Sequence, residues 1–306
     1  MLIEGMPAEV LPLYPIYQPV RLLAPAKVNL FIDVLDRRPD GYHNLEAVNV
    51  SVDLFDEIDV QLNDTGTHTL ECDQPGIPTD ENNHLVKAAR EVLKGTRWGV
   101  SIHLRKRIPM GAGLGGGTSD AAALIRYLAR VFSLGERKLL TRAAAVGSDV
   151  PYSLIGGPAR VRGRGEIVDR LRDMPCLRLV LLNPGSPHET RAIYGRMAPS
   201  LERPHPPVEP FIEAWRKRDF VLLGARMFNA FQETVFALQP RLADLRNILM
   251  GEGCLGACLT GTGSHLVGLL SDDSPSPKTW DWKEPEPRPF EANTLPHEFA
   301  GWIKRL

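Results

Sequence analysis

The sequence predicts an α+β fold built in two parts, and three observations carry that prediction. Two long segments alternate apolar and polar residues close together, over 26–35 and 47–62. Helical periodicity then gathers behind a glycine-rich loop at 111–117, and a new series of strand, helices and strand–turn–strand opens at 176. A doubly wound sheet would interleave strand and helix throughout, and this order does not. The expected division is a lead-in over 1–20, a first domain over 21–172 and a second over 173–306 with a proline-rich loop at 271–291. A chain of 306 residues, 43% of them hydrophobic, is long enough to give each domain a core.

The lead-in "MLIEGMPAEVLPLYPIYQPV" is interrupted by four prolines and has neither a basic leader nor an unbroken apolar stretch. It reads as loosely structured chain and not as a secretory signal. "AKVNLFIDVL" then sets Val28, Leu30, Ile32 and Val34 on one face of a strand and Lys27, Asn29, Phe31 and Asp33 on the other. The second face opens with a lysine and an asparagine side by side. "RRPDGYH" supplies turn chemistry, and 47–62 returns as an antiparallel strand. "NNHLVKAAREVLKG" is a helix ended by Gly95, and "GVSIHLRKRIP" a strand closed by Pro109.

After the glycine loop, Thr118 or Ser119 can cap a helix through "DAAALIRYLARVF", with Leu124, Leu128 and Val131 spaced as a buried stripe. "ERKLLTRAAAVG" is a further helix, and short strands and turns run to 171. The second part begins with the strand "CLRLVLLNPG". Two or three helices fill 208–250, "GACLTGTGSHLVGLL" is a strand–glycine turn–strand, and 271–291 is expected to be an exposed loop. A short strand and a helix are expected to close the chain.

Charge and cysteine content narrow the function classes. The net charge is −1 without a like-charge block, so no nucleic-acid partner is expected, and Arg160, Arg162 and Arg164 read as a polar strand edge. No segment approaches the roughly 20 apolar residues that span a bilayer, so no membrane partner is expected. Cys72, Cys176, Cys254 and Cys258 include one close pair without the further ligands a zinc site needs. Reduced thiols in the cytoplasm, and no protein-held metal, are the expectation.

The glycine loop "KRIPMGAGLGGGTSDAAAL" spells G-x-G-x-x-G at Gly111, Gly113 and Gly116. A dinucleotide site also needs an acidic residue closing a second strand about 20 residues on. Here 131–140 read as helix end, turn and new helix, and no Gly-Lys-Ser/Thr occurs for a P-loop. What remains is backbone chemistry: glycines allow amides close to a ligand, and the helix start offers unpaired donors and a positive dipole end. The loop is a phosphate cradle, with the Thr118 and Ser119 hydroxyls where phosphate oxygens would sit. Asp149 in "GSDVPY" stands where an N-cap would.

"PMGAGLGGGTSDAA" resembles the nucleotide loop of the GHMP small-molecule kinases. "PAKVNLFIDVLDRRPDGYHNL", "GSDVPYSLIGGPARVRGRGEIV" and "GACLTGTGSHLVG" are similar to flanking motifs of the branch that phosphorylates a cytidine-diphosphate-linked alcohol in isoprenoid synthesis. The resemblance spans about 22–270 in order. It implies a ribosomal S5 domain 2-like first domain and a ferredoxin-like second domain. It implies Lys27 and Asp149 as catalytic residues, with Asp149 taking the proton of the acceptor hydroxyl. The implied ATP contacts are Asn83, Lys106, Pro109, Gly111, Gly113, Leu114, Gly115, Gly116, Gly117, Thr118 and Ser119.

The implied acceptor contacts are Asn29, Tyr42, His43, Asp149, Thr190, Tyr194 and Gly261, with the cytosine held between aromatic rings. ATP is the implied co-substrate, Mg²⁺ rides on its phosphates, and the partners are small molecules, with a monomer and a homodimer both open. Acceptors such as homoserine, mevalonate or a sugar, and a non-catalytic ligand binder, are the alternatives. His84 stands where that branch carries an apolar residue, and Thr260, Ala230 and Gln232 replace its Ser, Asp and Glu. Thr260 is read as shaping the site without reacting, and Ala230 and Gln232 as structural positions.

Overall fold

The computed structural model describes residues 18–185, 190–197, 204–280, 282, 288–297 and 303–305. Residues 1–17 of the lead-in, His188, and 281 and 283–287 of the proline-rich loop lie outside them. The chain opens with a long hairpin, β1 (Val20–Arg37) and β2 (His43–Asn63), closed by the Pro-Asp-Gly turn. The two ends of the hairpin take different partners. Val20–Leu22 pair antiparallel with β12 (Ile303–Arg305), whereas Phe31 and Ile32 pair parallel with β8 (Phe228–Asn229). Likewise one stretch of β2 pairs β4 (Gly99–Arg105), which carries β3 (His68–Cys72), and the other pairs β5 (Ala159–Gly163), which carries β6 (Ile167–Arg170).

Helices α1 (His84–Leu93), α2 (Gly116–Val131), α3 (Glu136–Val146) and α4 (Val150–Ile155) belong to this half. Leu85, Ala121, Leu124 and Leu128 close a core over Val20, Leu22, Ala24, Ile58 and Val60. α2 begins at Gly116 behind a left-handed Gly115, two to three residues before the expected cap. Its start is set by the glycine conformation, and no hydroxyl caps it.

The second half supplies a four-stranded antiparallel sheet of β7 (Arg178–Leu182), β9 (Gly256–Leu259), β10 (Leu266–Leu270) and β11 (Phe290–Asn293), in the order β11-β7-β10-β9. Counted along this half the order is fourth, first, third, second, the ferredoxin-like arrangement. Helices α5 (Thr190–Arg196), α6 (Glu209–Arg216), α7 (Phe220–Ala225), α8 (Gln232–Leu238) and α9 (Arg241–Gly251) fill the first crossover. In the second crossover a short 3-10 turn, Pro277–Thr279, is the helical element among the described residues.

Three expectations are corrected here. The proline-rich loop is not simply exposed: Pro277, Trp280 and Trp282 are buried, the two indoles in a core with Leu182, Leu245 and Leu249. Residues 303–305 are strand where a closing helix was expected, because the free edge of β1 offers unpaired backbone groups to the chain end. β1 is buried on both faces. Ala26, Val28, Leu30 and Phe31 pack with Leu179, Leu181, Phe211 and Trp215 of the second half, so Lys27, Asn29 and Asp33 are buried and need partners inside the protein.

Candidate active site

A cleft of about 530 Å³ opens between the glycine loop, the middle of β1 and the loop at 148–149. Of the residues expected at a site, Lys27, Asn29, Asn83, Lys106, Pro109, Gly111, Gly113–Thr118, Asp149, Thr190, Tyr194 and Gly261 line it. Ser119, Tyr42 and His43 do not. A larger hollow of about 780 Å³, walled by Arg126, Arg172 and His297, holds none of them.

Gly113 and Gly115 lie at φ +78° and +65°, backbone that a side chain rarely adopts. A Cβ on Gly113 would also stand 2.4 Å from the Thr260 carbonyl oxygen. The two glycine loops therefore pack backbone against backbone. The second loop is held in turn by Asn229, whose Nδ2 donates to the Leu259 and Gly261 carbonyls at 2.7 and 2.9 Å, and by Gln232, which accepts from the Leu259 amide at 3.1 Å. The first-turn amides of α2, which lack intrahelical acceptors, border the cleft. Thr118 Oγ1 donates to the Gly115 carbonyl at 2.8 Å, and buried Ser119 donates to the Pro25 carbonyl at 2.6 Å. These hydroxyls fasten the loop, and the amides are what it offers a phosphate.

Lys27 stands at the centre. Its Nζ donates to Asn29 Oδ1 at 2.9 Å and lies 3.3 Å from Asp149 Oδ2, leaving a third proton for a ligand. Asn29 is fixed by donating to Asn49 Oδ1 at 2.5 Å, while its amide donates to Thr260 Oγ1 at 2.9 Å. Thr260 thus keeps a structural hydroxyl. Asp149 occupies the N-cap position of α4 but makes no capping hydrogen bond. Its side chain is about 40% exposed to the cleft, so the carboxylate is turned toward Lys27 and solvent. Asn49 was not singled out from the sequence. Its only signal is that it sits opposite Asn29 across the hairpin.

Lys106 does not reach freely for a nucleotide. Its Nζ is bound by Asp56 and lies 3.1 Å from Asp120, all three side chains being buried beneath the loop. Asp56 also accepts the amides of Arg107 and Ile108 at 2.6 and 2.8 Å, which fixes the exit of β4. Burial opposes the lysine's charge, but the two carboxylates outweigh it and hold its pKa above the ordinary value. Burial first, and then the neighbouring Asp56, push the Asp120 carboxyl up to about 8 against the pull of Lys106. One ammonium and one carboxylate balance, and the second carboxyl keeps its proton.

Asn83 caps α1, its Oδ1 accepting from the Leu85 amide at 2.9 Å while Nδ2 donates to the Pro78 carbonyl at 2.7 Å. His84 fills its non-apolar position by lying against the loop, Nδ1 being 3.3 Å from where a Cβ on Gly117 would stand. Burial, helped by Lys87, lowers its pKa, so it is neutral near pH 7. At the other end of the cleft His43 stacks on Tyr194 at 5.1 Å, and Tyr194 meets Phe231 edge-on at 4.9 Å. Thr190 Oγ1 lies 3.1 Å from Thr262 Oγ1. Tyr42 is 56% exposed. Among the described residues no group of three or more His, Cys, Asp or Glu could hold a metal ion, and no helix is long and apolar enough to cross a membrane.

Residues 83–157 match the family model of the GHMP kinases N terminal domain and 211–280 that of the GHMP kinases C terminal domain. The chain is thus a GHMP kinase, a member of a class of small-molecule kinases. It is 35% identical to 4-diphosphocytidyl-2-C-methyl-D-erythritol kinase of Brevibacillus brevis over 83% of this chain and 89% of that one. It is 38% identical to the kinase of the same name from Thermotoga maritima over 82% and 92%. Within the GHMP kinases the chain belongs to the 4-diphosphocytidyl-2-C-methyl-D-erythritol kinase family. A solved 4-(cytidine 5'-diphospho)-2C-methyl-D-erythritol kinase superposes with a TM-score of 0.76 at 32% identity, covering 90% of this chain and 98% of that one. A homoserine kinase from Cytophaga hutchinsonii, with a TM-score of 0.67 at 20% identity over 85% and 87%, shares the fold.

Proposed function

We propose that this kinase transfers the γ-phosphoryl group of ATP to the 2-hydroxyl of 4-diphosphocytidyl-2-C-methyl-D-erythritol, giving the 2-phosphate and ADP in the non-mevalonate isoprenoid pathway. The observation that carries the reading is the Lys27–Asp149 pair facing the glycine loop across one cleft whose far end is aromatic. The loop amides neutralise and position the triphosphate. The acceptor oxygen attacks the γ-phosphorus as the bond to the bridging β–γ oxygen breaks. Its proton passes to Asp149, whose Oδ1 makes no hydrogen bond among the described residues, and the third Lys27 proton stabilises charge on the reacting oxygens.

His43 and Tyr194, with Tyr42, hold the cytosine, and Thr190 borders it. Asp56 and Asp120 are engaged by Lys106, so the divalent cation enters as part of the MgATP substrate. Residues 21–172 are then the ATP-binding and catalytic domain, and 173–306 the acceptor-binding domain. Four free thiols agree with a reducing cytoplasm. A coupled ADP-release assay over a panel of acceptors tests the reading. The cytidine diphosphate alcohol should be turned over with a kcat/KM at least about a hundredfold above homoserine, mevalonate or galactose. Equal turnover of any of these would remove the acceptor assignment.

A further inference from the structure

The cleft takes two polyanions, yet its lysines are engaged. Lys27 lies against Asp149, and Lys106 is enclosed by Asp56 and Asp120. The arginines at 160–164 divide in the same way. Arg160 is bound by Glu46 and Glu209, and Arg162 by Asp169 at 2.7 Å. Arg164, at the tip between β5 and β6, lines the cleft; its amide donates to Glu166 Oε2 at 2.5 Å, while its guanidinium is hydrogen-bonded to no carboxylate among the described residues. Among the described lysine and arginine side chains on the cleft wall, it alone makes no ion pair at contact distance, the nearby Asp40 feeling its charge only through space.

Its position has a physical cause. Gly163 and Gly165 on either side lie at φ +70° and +122°, so the turn is tight. A Cβ on Gly165 would stand 2.9 Å from the Ser148 carbonyl oxygen and 3.6 Å from Asp149 Oδ1. The turn therefore rests directly on the loop that carries Asp149. From there the Arg164 guanidinium reaches to 4.8 Å from the centre of the Tyr42 ring. One side chain thus lies between the loop that carries Asp149 and the exposed Tyr42 ring beside the cleft.

We propose that Arg164 is a specificity-determining residue that binds the diphosphate of the acceptor. This rests on the acceptor named above, in which a diphosphate joins the ribose of cytidine to the alcohol. The guanidinium fork matches phosphate oxygens in a way a point charge does not. Its contact with an exposed ring is weak and easily exchanged for such a pair. Leaving Tyr42 would also uncover the ring for the cytosine, so that one movement prepares both subsites.

Calorimetric titration of the wild type, Arg164→Ala and Arg164→Lys with CDP, cytidine and ADP tests this, beside the KM values for both substrates. The wild type should bind CDP more tightly than cytidine. Arg164→Ala should lose roughly 10- to 100-fold in CDP affinity and raise the acceptor KM alike, with cytidine and ADP within about threefold. Arg164→Lys should recover only part of the loss. An unchanged CDP-to-cytidine ratio in Arg164→Ala, or an ADP affinity falling as far as that of CDP, overturns the proposal. So does a wild type that binds CDP no better than cytidine. The binding arms need no turnover, so failure of the wild type to phosphorylate the acceptor would remove the reaction assignment separately.

Discussion

Asp149 shows how one side chain's choice of partner separates two readings of the same motif. At an N-cap the carboxylate would accept an amide of α4, but it lies instead 3.3 Å from Lys27 Nζ. Asp149→Asn keeps the shape and removes the proton acceptor. Turnover should fall by about a hundredfold or more, while ATP and acceptor affinities stay within a few-fold. Full activity in that variant would defeat the base assignment. Lys27→Arg should not rescue a Lys27→Ala enzyme. The buried Nζ fits between Asn29 and Asp149, and a planar fork cannot reproduce that geometry. Steady-state kinetics of the two variants, with thermal melts to exclude unfolding, decide it.

Elements carry the site through their ends and crossings, and their legibility in the sequence follows from that. The middle of β1, the glycine loop and α2 were readable because alternation, glycine density and helical periodicity are local. β3, β8 and β12 were not, since each is short and is a strand only through a partner far away in the chain. The Lys27–Asp149 pair was legible as two motifs. The Lys106–Asp56–Asp120 cluster was not, because nothing in 50–60 marks Asp56 as buried. Trp280 and Trp282 were hidden by the prolines around them. The loop itself yields a sharp prediction for Gly113→Ala. Left-handed backbone costs about 1–3 kcal/mol, and the Thr260 carbonyl leaves no room for a methyl. ATP binding measured by titration should weaken by at least about tenfold, because the loop must move. Gly135→Ala, at a position with nothing within 4 Å of a Cβ and away from the cleft, should leave ATP binding unchanged.

At the scale of the molecule the two halves share cores, since β1 packs on one half along part of its length and on the other half along the rest. Buried ionisable groups should therefore act on one common stability. Two have opposite signs. His265 is buried and its pKa is lowered to about 4 from 6.5 by desolvation, so its contribution is lost as pH falls from about 6.5 to 4. Asp120, raised from 3.8 to about 8, contributes fully below about 4, and that contribution is lost as pH rises toward 8. Between about 4 and 6.5 the unfolded chain binds one proton more at His265 and one fewer at Asp120, so those two slopes cancel. His43, His68 and His84, whose pKa values burial also lowers, leave a net rise on the acid side of about 6.5. Between about 6.5 and 8 Asp120 acts alone, and stability should decline. Denaturant unfolding at closely spaced pH values should show this rise and then the fall. Asp120→Asn should abolish the decline above 6.5, and His265→Gln should make the acid-side rise shallower. An unaltered profile in Asp120→Asn would mean that the carboxyl beside Lys106 is ionised throughout, and that the buried cluster carries a net negative charge beneath the loop meant to receive phosphates.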